Sequence, residues 1–177
     1  MHLDEVTLSV EEVYSGKIIK VTKEVAQLEN GEKAIRELVH HSGGVCVLPV
    51  DNDNNVYFVK QFRYPYKTVL LELPAGKREE GEEPIVCGTR ELREEIGATA
   101  GNIKSLGKLY PTVAYDTEVI YMFLATELSF GDNDLDDDEF IDVVKIPFDK
   151  AYEMVLNDEI PDAKTQIAIL KAKEFLK

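Results

Sequence analysis

Cysteine is scarce in this chain: Cys46 and Cys87 are the only two among 177 residues. Two thiols cannot build a disulfide framework, and neither has a neighbour at zinc-ligand spacing, so both are expected as buried free thiols. Positive charge is short as well, with 20 Lys and Arg against 34 Asp and Glu and a formal net charge of -14. Such a surface repels a phosphate backbone, which removes nucleic acid from the expected partners. No apolar run approaches the roughly 18 residues of a membrane span. The opening residues, Met1-His2-Leu3-Asp4-Glu5-Val6, have neither the basic nor the apolar region of a signal peptide. A cytoplasmic protein with no membrane partner is the expectation. With 44% hydrophobic and 31% charged residues, the composition is that of an ordinary globular chain, long enough for one domain with a small appendage.

The first forty residues alternate as strands do, at Val6–Val10, Lys17–Thr22 and Ala34–Val39. Between the last two, Glu29-Asn30-Gly31-Glu32 carries an Asn-Gly pair, which supplies the two positive-φ residues of a tight hairpin. A small antiparallel sheet is expected here. After Gly43-Gly44 the runs become continuously apolar, at Val45–Val50 and Val56–Val59 around the turn Asp51–Asn55, as core strands of a larger unit do. Further strands are expected at Val69–Leu73, Ile103–Leu109, Val119–Thr126 and Phe140–Ile146. Helices are expected at Pro84–Ile96, Phe148–Leu156 and Ala163–Leu176. The mixture implies an α/β fold or an α+β one, with helices covering a mixed sheet.

One segment concentrates chemistry. Pro84 suits a first helical position and Gly97 the residue past a helix end, so the helix over 84–96 is bracketed by its own sequence. At about 100° per residue, Ile85, Leu92 and Ile96 share one stripe and Glu91, Glu94 and Glu95 another. Glu91 and Glu95 form a like-charge pair one turn apart, in the half of the helix where the dipole also disfavours anions, and Arg90 and Arg93 relieve this in part. Two readings stand side by side: a solvated glutamate face, or a site for a hard cation, where clustered oxygens suit Mg²⁺ or Mn²⁺ and zinc would want His or Cys. Gly88, mid-helix beside that face, either leaves room for a ligand or is a weak spot.

The segment also matches the pattern G-x5-E-x7-R-E-U-x-E-E-x-G-U, with U apolar, at Gly76, Glu82, Arg90, Glu91, Leu92, Glu94, Glu95, Gly97 and Ala98. On these residues the chain resembles the Nudix hydrolase family. Lys60-Gln-Phe-Arg63-Tyr-Pro, Leu71-Glu-Leu-Pro-Ala-Gly76-Lys and the N-terminal strands further resemble the family's bacterial ADP-ribose pyrophosphatases. The resemblance implies an α/β/α sandwich with a mixed sheet over 43–177, preceded by an antiparallel β unit over 1–42 that forms a homodimer. It implies Mg²⁺, with Mn²⁺ possible, held by Glu91 and Glu95, by Glu94 as an additional ligand, and by the carbonyl of Ala75. It pairs Arg90 with Glu82, and matches Arg63 and Glu118 to substrate contacts and Arg36 to the dimer-forming sheet near the adenosine site. In the acidic run 132–139, which lacks the glycine and flanking helices of a calcium loop, Glu139 matches a general base or further metal ligand. Glu94 is a second candidate for the catalytic carboxylate. One segment departs from that branch: Val113 stands where a proline is typical, with Pro111 two residues earlier.

The function expected is Mg²⁺-dependent hydrolysis of a nucleoside diphosphate linked to another moiety, ADP-ribose first, to AMP and ribose 5-phosphate. A nucleotide-sugar or nucleoside-triphosphate pyrophosphatase is the alternative within the class, and a non-catalytic ADP-ribose sensor the alternative outside it. The intact glutamates argue against the sensor.

Overall fold

The computed structural model describes residues 2–135 and 140–176, which form two units. The first comprises the chain up to Gly43 together with Tyr110–Val119, and the second comprises Gly44–Leu109 with the chain from Ile120 onward. In the first, β1 (Val6–Ser15), β2 (Lys20–Gln27) and β3 (Lys33–His40) form an antiparallel sheet in that order. Tyr110–Val119 lies along β3: Val39 N–H donates to the Tyr115 carbonyl at 2.7 Å and Thr117 N–H to the Val39 carbonyl at 2.9 Å.

The β2–β3 connection corrects the expected two-residue hairpin. It runs over Leu28–Glu32, and only Gly31 has positive φ, at 87°. Gly31 N–H donates to the Leu28 carbonyl and Leu28 N–H to the Glu32 carbonyl, while the Asn30 side chain accepts from Glu32 N–H. The loop is therefore longer and needs a single left-handed residue. Register follows, with β2 displaced toward the loop from its expected place: Val21 pairs with Val39 and Val25 with Ile35.

The second unit is built on two sheets. One is antiparallel, in the order β10 (Ile141–Pro147), β5 (Asn55–Arg63), β6 (Thr68–Glu72). The other is mixed, in the order β7 (Ala75–Lys77), β4 (Gly44–Pro49), β9 (Ile120–Phe130), β8 (Ala98–Leu109), with β4 and β9 parallel. Every residue of β4 is buried, which is why its sequence is apolar without alternation. Its pleat divides two cores. Val45 and Val47, with Phe123 and Ala125 of β9, pack against Cys87, Leu92 and Ile96 of α1 (Pro84–Ile96). Cys46 and Leu48, with Met122 and Leu124, pack against Phe148, Ala151 and Val155 of α2 (Phe148–Leu156) and Ala168, Ile169 and Ala172 of α3 (Ala163–Ala172). The α/β/α layering expected from the resemblance is this arrangement. Both cysteines are buried free thiols, each pushed up to about 12, with burial the main cause.

Local signals set the ends of α1. Pro84 opens it, and Gly97 closes it at φ 65° with its N–H on the Arg93 carbonyl. A side chain at 97 would lie 2.4 Å from the Gly131 carbonyl oxygen, so both the conformation and the space demand glycine. Three expectations are corrected. β7 has no counterpart among the expected strands, since three residues carry no period. β8 begins at Ala98 rather than Ile103, because pairing with β9 overrides the weak strand propensity of Ala98–Asn102. α3 ends at Ala172 rather than Leu176, where Phe175 N–H turns to the Ala172 carbonyl. No described helix is long and apolar enough to cross a membrane.

The β4–β5 loop hangs on Asp51, whose carboxylate accepts from Asp53 N–H, Asn55 N–H and Lys145 Nζ at 3.0, 2.9 and 2.6 Å. Burial pushes its pKa up, but Lys145 and the Asn55 contacts outweigh that and hold it at about 2, below its ordinary 3.8. A depressed carboxyl stabilises the fold above its ordinary pKa, and that contribution fades as pH falls from 3.8 toward 2. Asp51→Asn should cost about 1 kcal/mol at neutral pH and nothing near the bottom of that range, read from urea midpoints across the acid limb.

Candidate active site

Glu91 and Glu95 do not form a solvated face. They are 7% and 2% exposed and lie on the buried side of α1, with Cys87, Gly88, Leu92 and Ile96. Ile85, expected on the core stripe, is instead exposed, as is Val86. The helix is rotated so that its middle glutamates, rather than its first apolar turn, face the sheet. Gly88 makes this possible: a β-carbon there would meet Val47 Cγ2 at 3.2 Å and the Phe123 ring at 3.4 Å. The room beside the glutamates is taken by close helix–sheet packing, which answers what this glycine is for.

The backbone of 75–76 closes against the carboxylates. Ala75 N–H donates to Glu95 Oε2 at 3.1 Å, and a β-carbon on Gly76 would fall 1.9 Å from the carboxyl carbon of Glu91. β7 therefore exists to bring this backbone to the helix, held by its pairing with β4.

Arg90 gathers the remaining acids. Its Nε donates to Glu82 Oε1 at 3.1 Å, and its Nη1 lies 2.8 Å from both Glu91 Oε1 and Glu94 Oε2. The expected pairing with Glu82 is present, and the same guanidinium serves two more carboxylates. Arg90 holds the Glu82 carboxyl at about 2, well below its ordinary 4.5, and is itself raised, first by Glu82. Among the described residues, no three His, Cys, Asp or Glu side chains converge as a metal cage. Two buried carboxylates one turn apart, bordered by peptide backbone, form an all-oxygen donor set, and that chemistry fits a hard divalent cation better than zinc.

Arg63 ends β5 and engages Glu72, at the end of β6, through Nε–Oε1 at 2.6 Å and Nη2–Oε2 at 2.7 Å. Glu72 is 2% exposed and also receives Lys164 Nζ. Sequence reasoning missed Glu72 and Lys164, although one signal was present: Glu72 is the lone charge in the apolar run Val69–Leu73. Arg36 and Glu118 belong to the first unit. There Arg36 forks onto Glu5 at 2.6 and 3.0 Å, and Glu118 lies 3.3 Å from His41 Nδ1. Glu139 falls outside the described residues.

A family model described as the NUDIX domain matches residues 40–167. An ADP-ribose pyrophosphatase of Bacillus subtilis (strain 168) is 40% identical over 98% of this chain and 96% of its own length. A methanol dehydrogenase activator of Bacillus methanolicus is 35% identical over the same shares. A solved structure described as an ADP compounds hydrolase superposes with a TM-score of 0.86 at 20% identity, over 98% of this chain and 94% of that one.

Arg90→Met would leave three carboxylates without their shared cation. It should cost about 2–4 kcal/mol in a chelator-containing urea titration, and Arg90→Lys should recover only part, since an ammonium cannot fork to several partners. An unchanged midpoint in Arg90→Met would show that the acids do not depend on it.

Proposed function

Because the chain belongs to the Nudix family, we propose that it hydrolyses the diphosphate of a nucleoside diphosphate joined to a second moiety, with ADP-ribose as substrate and AMP and ribose 5-phosphate as products. The observation that carries this reading is the burial of Glu91 and Glu95 against the backbone of 75–76, an arrangement that costs stability and makes chemical sense as a cation seat. Glu91 and Glu95 would hold Mg²⁺, or Mn²⁺ in its place, with Glu94 and the Ala75 carbonyl as further donors. Bound there, the ion supplies charge neutralisation and polarisation of the diphosphate.

The chain's own residues do the rest. Arg63 sets positive charge against the diphosphate, which also lets an anion approach a protein of net charge -14. Glu139 takes the proton of the attacking water, with Glu94 as the second candidate base. Arg36, in the N-terminal β unit of a homodimer, and Glu118 contact substrate. Support for the dimer comes from β1, where Val6, Leu8, Val10, Val13 and Tyr14 are all exposed on a sheet of three strands, too small to stand alone. A cytoplasmic enzyme with no nucleic-acid or membrane partner fits the acidic composition.

Three measurements test this. In a substrate panel with Mg²⁺, ADP-ribose should be cleaved ahead of a nucleotide sugar or a nucleoside triphosphate, and Glu95→Gln should abolish turnover in a folded protein. Wild-type rates in that variant would remove the metal assignment. Glu139→Gln should lower turnover about 10²–10⁴-fold with Mg²⁺ affinity unchanged, as loss of a general base does. Asp137→Asn should change neither, and an equal effect there would mean that the loop acts through bulk charge. Light scattering should give a dimer at micromolar concentration, and a monomer would refute the assembly.

A further inference from the structure

The buried ion group beyond the glutamate helix has no part in the function proposed above except through Arg63. Four charges of alternating sign run in a line: Arg63, Glu72, Lys164, Asp162. Arg63 binds Glu72 by both nitrogens of one edge, and Lys164 Nζ bonds Glu72 Oε2 and lies 3.0 Å from Asp162 Oδ1. Asp162 caps α3, accepting from Thr165 N–H at 3.0 Å, and the Thr165 hydroxyl accepts from Leu73 N–H at 2.9 Å. The line therefore ends on a helix terminus that is itself fastened to the residue after Glu72. Burial opposes charge on Glu72 and on Lys164. Their partners outweigh it, so the Glu72 carboxyl is lowered and the Lys164 ammonium raised, and the line stays ionised.

The two ends of one tetrapeptide meet different parts of the site. Glu72 holds Arg63, while Ala75, three residues on, donates its N–H to Glu95 at 3.1 Å. Pro74 between them accepts from Val47 N–H at 2.9 Å, which fixes the segment to the central strand. Arg63 also feels the charge of Glu95. A guanidinium held along its Nε–Nη2 edge presents its other donors away from Glu72, and the Arg63 side chain keeps 37% of its surface exposed.

We propose that Glu72 and Lys164 are positioning residues, which hold the Arg63 guanidinium in the orientation that receives the substrate's diphosphate. This rests on the proposed pyrophosphohydrolase reading and extends it to residues outside the glutamate segment. An arginine at a strand end would otherwise sweep through many rotamers, and substrate would have to immobilise it on binding. Lys164 makes no substrate contact in this scheme, so its loss acts through Arg63 and on binding more than on the bond-breaking step.

The test is steady-state kinetics on ADP-ribose at saturating Mg²⁺ for wild type, Arg63→Ala, Lys164→Met and the double variant, each with a melting curve. Lys164→Met should raise KM about tenfold with kcat within about threefold, and in the Arg63→Ala background it should add nothing. Lys164→Arg, which keeps a cation on Glu72, should restore most of the KM. A fall in melting temperature with KM unchanged would make the line a structural clamp and overturn the proposal. So would effects of the two single variants that multiply in the double. Should Lys164→Met fail to fold, the isosteric Glu72→Gln carries the same comparison. Absence of diphosphate hydrolysis by the wild type would overturn the function itself, whereas an active wild type whose KM ignores these changes overturns only this inference.

Discussion

Two like charges one helical turn apart, sunk into the packed side of α1, are the constraint around which the second unit is arranged. A carboxylate taken out of water must be paired or hydrogen-bonded, and two together must be compensated twice. Arg90 reaches Glu91, and a peptide N–H reaches Glu95. The first requires Glu82 and Glu94 to hold the guanidinium, and the second requires a three-residue strand whose only evident purpose is to carry backbone to the helix. Much of the fixed segment from Gly76 to Gly97 is thus a support for two side chains rather than a set of independent features.

The same logic appears a short way along the chain. Glu72 is as buried as Glu95, and it is compensated by an arginine and a lysine from two different elements. Of these two buried acids, Glu72 is bound by two cationic side chains, and Glu95 accepts from the Ala75 N–H.

The helix at 84–96 was legible because its signals are local: a proline at its start, a glycine at its end, and a spaced set of charged residues that no solvated helix needs. The strands β4 and β9 were legible because burial on both faces leaves an unbroken apolar run. What could not be read was whatever depends on distant partners. Nothing in Tyr110–Val119 announces that it lies along β3, and Ala75–Lys77 is too short to show a period. The face of α1 was misjudged for a related reason. Periodicity sorts residues by polarity, so it put Ile85 inside and the glutamates outside, whereas the fold buries acids that it has the means to compensate. Lys164 was invisible, because a lysine at a helix start reads as surface until Glu72 is placed beside it.

Gly88 gives this arrangement its depth. With no side chain there, α1 sits directly on Val47 and Phe123, and Glu91 and Glu95, one and two turns further along the same face, are drawn toward the sheet with it. The distance from helix to sheet sets how much water surrounds the two carboxylates, and so the effective dielectric in which any charge beside them is felt. A methyl group at 88 would change no ligand and no formal charge, yet it would lift both acids toward solvent and weaken their field. The field of the two acids is thereby governed by an atom that is missing from a residue with no polar side chain at all.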